Sequence, residues 1–513
     1  PSSSGPASPP TPAATPTTPP VKLSSNVDDG EDGVKVSTLV TAKASAGKLS
    51  KVVLDYKYTD TKGKAQKGTL KGSLNKAKTS WTAGDRLEPA EILAERGDLD
   101  ALVFECLAER TIGLAQQRAA TSAGVGFDRL FLDRLAGILP HLDPRTLVLT
   151  NAGAADPIGL ARSVAGMLGA HPRGAGRIVA AVVGDDIASV LPSDARITGT
   201  DLTIGDLGDR LVSANAYIGA GAAMRALEDG ADVVVTGRMG DAALFAAPIA
   251  VHHGWHDTSA QQMAAPTLVG HLLECAGQLT GGYFADGARK VVPGLATLGF
   301  PFADVDADGV AEFGKVEGTG GLISRATVLE QLLYEIDDPA RYKTPDATLD
   351  LGDVQIDEVA PDRVRVSAAS AHGRPDQLKV SVGVRDGFLS VGSIAYAGRG
   401  ARARAELALQ IVRERWEQVH RREPDEVRLD LQGYNSLRPW HELPGEPGEV
   451  RARLSLRTFD RSVAALLDRE VEALYTNGPA GGGGADLSMK ETVGIVSTFI
   501  DRDRVEPRVE MVS

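Results

Sequence analysis

Two cysteines in 513 residues, Cys106 and Cys275, are too few for a disulfide framework or, by themselves, a structural zinc site. No stretch approaches the ~20 consecutive apolar residues of a membrane span, so no membrane contact is expected. Positive charge is in deficit: 55 basic against 68 acidic residues give −13, which argues against a nucleic-acid partner. The Gly-Lys-Ser/Thr ending of a phosphate-binding P-loop is missing, as is a dinucleotide fingerprint after the first body strand. Methionine and an apolar signal segment are both missing ahead of Pro1, which reads as a fragment or a processed chain. The body is expected in the cytoplasm.

What is present is a globular composition, 42% hydrophobic and 24% charged. At ~150 residues per domain the length suggests about three domains. Residues 1–82 hold 12 of the 17 lysines and no arginine, whereas residues 83–513 hold all 38 arginines and five lysines. With 12 basic against 6 acidic residues the head carries +6; with 43 against 62 the body carries −19. A fold rarely demands such a step, so a junction of separately derived segments is expected near Trp81–Gly84. Residues 1–20, with eight prolines, read as an extended disordered linker. Residues 21–82 read as a small Lys-rich β meander, with strands at Val34–Val40 and Val52–Tyr58.

From residue 83 to about 345 short apolar strands alternate with amphipathic helices. Strands are expected at Leu99–Phe104, Thr146–Thr150, Arg177–Val183 and Ala231–Thr236. Helices are expected at Glu88–Glu95, Leu107–Ala120, Arg129–Leu139, Ile158–Leu168 and Ala214–Glu228. This spacing implies crossover units, a parallel sheet and α/β, Rossmann-like layers. Residues 346–422 read as β-rich with a long helix at Ala401–Val419. Residues 423–513 read as a C-terminal α/β segment with a Gly-rich loop.

Ligands of open parallel sheets bind outside the carboxyl ends of the strands. There the sequence puts Glu105-Cys106 with Glu109, then Asn151, then Asp185-Asp186, then Gly237-Arg238-Met239-Gly240-Asp241. The plainer reading of each alone is capping or turn duty, and Asp156-Pro157 fits it. Jointly they point to a small-molecule site. Glu105, Asp85 and Asp241 are the candidate acid/base groups; Arg86 and Arg238 could hold a carboxylate, with Asn151 among the binding residues. Gly318-Thr319-Gly320-Gly321, ahead of an apolar helical run, could present amides to a phosphate. His271 and Cys275 share a helix face with Glu274 close by, which is conceivable metal-ligand spacing; the plainer reading is packing, and no metal is assigned. Cys106 would need a cation or base beside it to act as a nucleophile.

Several blocks together resemble one known family. They include Gly84-Asp85-Arg86-Leu87-Glu88-Pro89-Ala90, Leu102-Val103-Phe104-Glu105-Cys106-Leu107-Ala108-Glu109-Arg110-Thr111 and Thr150-Asn151-Ala152-Gly153-Ala154-Ala155. Val235-Thr236-Gly237-Arg238, Gly270-His271-Leu272-Leu273-Glu274-Cys275 and Gly478-Pro479-Ala480 follow in order. From residue 84 to about 500 the body is similar to the AtuA proteins of acyclic terpene utilisation. Members occur with genes that degrade citronellol and geraniol through coenzyme A thioesters. The resemblance therefore implies an enzyme of acyclic terpene or branched acyl-CoA catabolism, with a lyase or hydratase reaction as the guess and a coenzyme A thioester as a conceivable substrate. A ligand-binding or scaffold subunit of a catabolic complex and a metal-dependent hydrolase are the alternatives. A homo-oligomer or a catabolic partner subunit is compatible with either. The resemblance also implies a short strand and a Gly-containing loop just before Gly84; here Lys78–Ala83 would have to take that strand's place.

Overall fold

The computed structural model describes residues 86–119, 125–422, 424–437 and 445–512, with six strands of the head: Leu23–Ser25, Thr41–Ala44, Leu54–Thr59, Ala65–Leu70, Gly72–Leu74 and Ser80–Ala83. The expected linker 1–20 and strand Val34–Val40, like Asp85, lie outside the described residues.

Beyond the head the strands used below are β1 (Ala101–Phe104), β2 (Leu147–Thr150), β3 (Val179–Val183), β4 (Leu211–Ala216), β5 (Val233–Thr236), β6 (Gln377–Ala397), β7 (Glu426–Gln432), β8 (Glu449–Thr458), β9 (Gly483–Asp501) and β10 (Arg508–Val512). The helices are α1 (Glu88–Arg96), α2 (Glu109–Ala119), α3 (Leu130–Ile138), α4 (Pro157–Gly169), α5 (Gly221–Glu228), α6 (Asp241–His253) and α7 (Ala260–Leu273). The fold is mixed α/β.

One mixed sheet organises it, in the order β10-β3-β5-β2-β1. β3, β5, β2 and β1 are parallel, and β10 closes the β3 edge antiparallel. Leu-Val-Leu-Thr, Val-Ala-Ala-Val-Val and Val-Val-Val-Thr are nearly continuous apolar runs, as strands buried on both faces require. Val148, Val179, Ala181, Val233 and Val235 pack with α1, α3 and α4 in one core. Leu149, Ala180, Val182 and Val234 face the other way, into a core shared with α5, α6, β4 and β6. That second face is covered partly by an antiparallel sheet, a departure from layers built of helices alone.

The second sheet hangs on β6. Its first half pairs with β4 on one side and β9 on the other, and its second half pairs with β8 and β9, with β7 beyond β8. The two strands anticipated at Leu378–Val384 and Leu389–Tyr396 are therefore one 21-residue strand. Ala214-Asn215-Ala216, expected to open a helix, ends β4 instead: ladder bonding to Val380–Val382 overrides alanine's helix preference, and the helix starts only at Gly221. Gly483-Gly484, anticipated in a loop, begins β9. A four-stranded antiparallel sheet runs Pro301–Val305, Ala311–Lys315, Arg363–Ser367, Gln355–Ala360.

Ser80–Ala83 is a strand, but it pairs with Thr41–Ala44 and Gly72–Leu74 in the head. It does not stand in for a strand beside β1. Among the described residues β1 pairs only with β2.

Phe131 of α3 is fully enclosed and meets Phe104 of β1 edge to face, ring centres 5.5 Å apart. Phe131→Ala should cost about 3–5 kcal/mol through lost burial and an unfilled cavity; a lowered urea midpoint is the readout.

Candidate active site

Parallel topology aligns the carboxyl ends of β1, β2, β3 and β5, so the polar residues after each strand meet at one rim. After β1, Glu105 Oε1 accepts from Leu107 N (2.8 Å) and from Asn151 Nδ2 (2.9 Å). Asn151, wholly buried at the end of β2, also accepts from Cys106 N at 2.7 Å. Its amide is thus used to hold Glu105, a half-buried side chain bonded through Oε1. After β3, the buried Asp185 accepts from Asn215 Nδ2 (2.9 Å) and Arg238 N (2.8 Å). Gly237 is required there: a Cβ would sit 2.4 Å from Asp185 Oδ1.

Arg238 is the centre of the rim. Its side chain is 1% exposed. Nη2 meets Asp241 Oδ1 at 2.6 Å, Nη1 donates to the Leu107 carbonyl, and the guanidinium lies 4.0 Å from the centre of the Tyr217 ring. Nε has no partner. Tyr217 OH donates to Glu109 Oε1 (2.8 Å), which also receives Lys379 Nζ (2.6 Å). Burial opposes the charge on Arg238, but Asp241, Tyr217, Glu105 and Glu109 around it outweigh that and keep its pKa above the usual arginine value. With both Nη atoms engaged inside the protein, Arg238 orders carboxylates and does not clamp a ligand in the bidentate manner the sequence suggested.

Those carboxylates are perturbed. Burial pushes Asp241 up to about 7; Arg238 pulls it down, and the charges of Glu105, Glu274 and Glu109 push it up again. Asp241 nevertheless keeps 35% of its side chain exposed, so solvent reaches it. Burial also raises Glu274 above the usual glutamate range, against the pull of His271. Glu109 goes the other way: burial would raise it, but hydrogen bonds from Lys379 and Tyr217 hold it low.

A cavity of about 700 Å³ runs along the free edge of β1. Leu93, Leu102, Phe245, Leu273 and Phe302 are among its apolar lining, and Glu105, Glu274 and Cys275 among its polar lining. Arg86 and Arg134 also line it; Arg86 is exposed and donates to the Leu295 carbonyl at 3.1 Å.

Other expectations fare differently. The amides of Thr319, Gly320 and Gly321 donate to Val316, Thr297 and Pro293 carbonyls, and the helix after them begins only at Arg325, capped by Ser324. Three of the four amides of the Gly318–Gly321 segment are thus engaged inside the protein. Burial pushes the Cys106 thiol up to about 12 although Arg134 Nη1 stands 3.2 Å from its sulfur, so it is not a thiolate at neutral pH. Both ring nitrogens of His271 bond within the protein, and among the described residues no group of three or more His, Cys, Asp and Glu is placed to hold a metal ion. No helix of the described residues is long and apolar enough to cross a membrane. Sequence reasoning missed Tyr217, Lys379 and Tyr342, which reach the site from strands and loops distant in the chain.

The family model of acyclic terpene utilisation family protein AtuA matches residues 77–511. The chain belongs to this family. No curated protein and no solved structure matches it. The AtuA match takes in every rim residue just described, together with all but the final residue of the last strand β10, and it begins within the head, ahead of Ser80–Ala83.

Burial pushes the Asp185 carboxyl up from an ordinary 3.8 to about 6, opposed by its bonds from Arg238 N and Asn215. The folded state therefore holds a proton that the unfolded chain has released. This stabilisation is complete below about pH 4 and is lost as pH rises through about 6. Over roughly two pH units the loss amounts to roughly 3 kcal/mol. Asp185→Asn keeps an acceptor oxygen and cannot ionise, so urea denaturation at about pH 4 and about pH 8 should show that part of the wild-type pH dependence removed.

Proposed function

We propose that the rim around Arg238 is an acid–base site acting on a branched acyl thioester or the corresponding carboxylic acid, by adding or eliminating water. Membership of the AtuA family supports a role connected with acyclic terpene utilisation. The observation that carries the chemistry is Asp241, with its carboxyl pushed up to about 7 and still reached by solvent. A base is most effective when its pKa lies near the working pH. Glu105 stands across from it, fixed by Asn151 and Leu107 N with one oxygen left over. Arg86 and Arg134 bring positive charge to a cavity wall that also carries Asp98, Asp100, Glu105, Glu274 and Asp304. Arg238 keeps Asp241 and Glu105 in place and counters their charge, and so acts as a positioning residue.

The test begins with thermal shifts against branched acyl-CoA esters and short branched acids, followed by turnover of whichever stabilises the protein. Turnover should rise with pH through about 7 as Asp241 ionises. Asp241→Asn should lower it by ~10²–10⁴ and remove that rise, with binding largely retained. Stabilisation by none of these ligands would count against the reading. Binding without turnover would point to a non-catalytic ligand-binding subunit.

A further inference from the structure

We propose that Glu274 is a second proton-transfer residue of this site, held by His271 and Tyr342 with one proton shared between Glu274 and His271. This rests on reading the rim as an acid–base site.

His271 lies in the last turn of α7, 1% exposed, and Glu274 caps that helix. The ring Nε2 is 3.2 Å from the Leu332 carbonyl oxygen. A carbonyl only accepts, so Nε2 must carry a hydrogen. Glu274 Oε1 is then 3.2 Å from Nδ1, with Tyr342 OH 3.4 Å from the same nitrogen. In a neutral ring with hydrogen on Nε2, Nδ1 offers a lone pair. The Tyr342 hydroxyl can donate to that lone pair at 3.4 Å, but an ionised Glu274 at the shorter 3.2 Å would still set a second lone pair against it without a hydrogen of its own. The contact needs a proton: either Glu274 is a carboxylic acid donating to Nδ1, or the ring is an imidazolium donating to the carboxylate. In both forms the pair carries no net charge and one mobile proton.

The surroundings favour keeping that proton. Glu105, Glu335 and Asp241 act on Glu274 or on its partners with negative charge, Cys275 and Tyr342 are neutral, and the buried Arg238 already serves Asp241. Burial, the largest influence, raises the Glu274 carboxyl in the same direction. The His271 and Tyr342 rings are tilted against each other with centres 5.0 Å apart, and the Gln331 amide donates to the His271 carbonyl at 3.3 Å, so the pair is held on several sides. Glu274 keeps 15% of its side chain exposed and lines the cavity together with Glu105.

In an elimination this pair would be the acid that complements Asp241, whose carboxyl feels the Glu274 charge. Asp241 as carboxylate takes a proton from the carbon next to the ligand carbonyl. The electron pair left behind forms the carbon–carbon double bond, and the C–O bond at the next carbon breaks. The Glu274–His271 pair delivers its proton to the departing oxygen, which leaves as water. The two groups then exchange protons with solvent and are reset; hydration is the reverse.

The closing experiment needs no known ligand for its first arm. Protein labelled with ¹³C at glutamate carboxyls and ¹⁵N at histidine rings is titrated by NMR, with Glu274→Gln and His271→Gln assigning the signals. The expected result is that at neutral pH either the signal lost in Glu274→Gln is that of a protonated carboxyl or the His271 ring carries both hydrogens. An ionised Glu274 beside a His271 protonated only at Nε2 overturns the inference and leaves the Asp241 reading standing. The second arm uses the stabilising acyl thioester as probe. Wild type should give a bell-shaped pH profile, and Glu274→Gln should lose at least about tenfold in turnover together with the high-pH limb. An unchanged high-pH limb in a folded Glu274→Gln variant also overturns it. Should Asp241→Asn leave turnover untouched, the acid–base reading itself fails, and the NMR arm still decides the state of the pair.

Discussion

A guanidinium with 1% exposure in the interior of an α/β protein is the constraint from which the rest of the rim follows. An unpaired buried charge costs several kcal/mol, so Arg238 requires acceptors and negative charge on its reachable sides. Asp241 and the Leu107 carbonyl supply them at the Nη atoms, the Tyr217 ring face covers the plane, and Glu105 and Glu109 add charge farther out. The backbone beneath is fixed as well: Asp185 holds Arg238 N, and Gly237 exists because any side chain there would strike Asp185. The carboxylates gathered for this purpose are the groups available for chemistry.

Much of this was legible in the amino-acid order because the four parallel strands are short apolar runs, each ending abruptly in polar residues. That pattern located Glu105, Asn151, Asp185, Arg238 and Asp241 on one edge before any coordinates. What was not legible depends on partners far along the chain. Ala214–Ala216 looks helical in isolation and is a strand only because it bonds to Val380–Val382, and that pairing brings Tyr217 and Lys379 to Glu109. His271 and Glu274 are neighbours on α7, but Tyr342 and the Leu332 carbonyl, which determine their protonation, come from segments that carry no local sign of it. The reverse error occurred at Gly318–Gly321, where glycine-richness suggested an anion cradle and three of the four amides prove to be bonded internally.

The cavity beside β1 has two physical origins. Its apolar length borders the outer backbone edge of β1, which pairs only with β2 among the described residues. Edges of parallel sheets are normally covered. The residues immediately ahead of α1 belong by lysine content and by pairing to the head, whose Ser80–Ala83 strand bonds to Thr41–Ala44 and Gly72–Leu74. The long trench follows the edge of β1 that no described strand covers. Of its polar lining, Glu105 belongs to the rim and is held there by Asn151 and Leu107 N. Chemistry argued from Asp241, Glu105 and Glu274 does not depend on the trench.

Counting charge at the rim leads one step further. Glu105, Glu109, Asp241 and Glu274 are four carboxyls; Arg238 meets Asp241 directly and Lys379 meets Glu109. Glu109 also receives Tyr217 OH and remains readily ionised. The remaining carboxyls repel one another across a partly desolvated space, where like charges interact far more strongly than in water. The lowest-energy arrangement keeps a proton among them instead of ionising all four, and the groups with raised pKa values, Asp241 and Glu274, are those on which it resides. A fold that gathers several carboxylates around one buried arginine thus raises the proton affinity of Asp241 and Glu274, through burial first and mutual repulsion second.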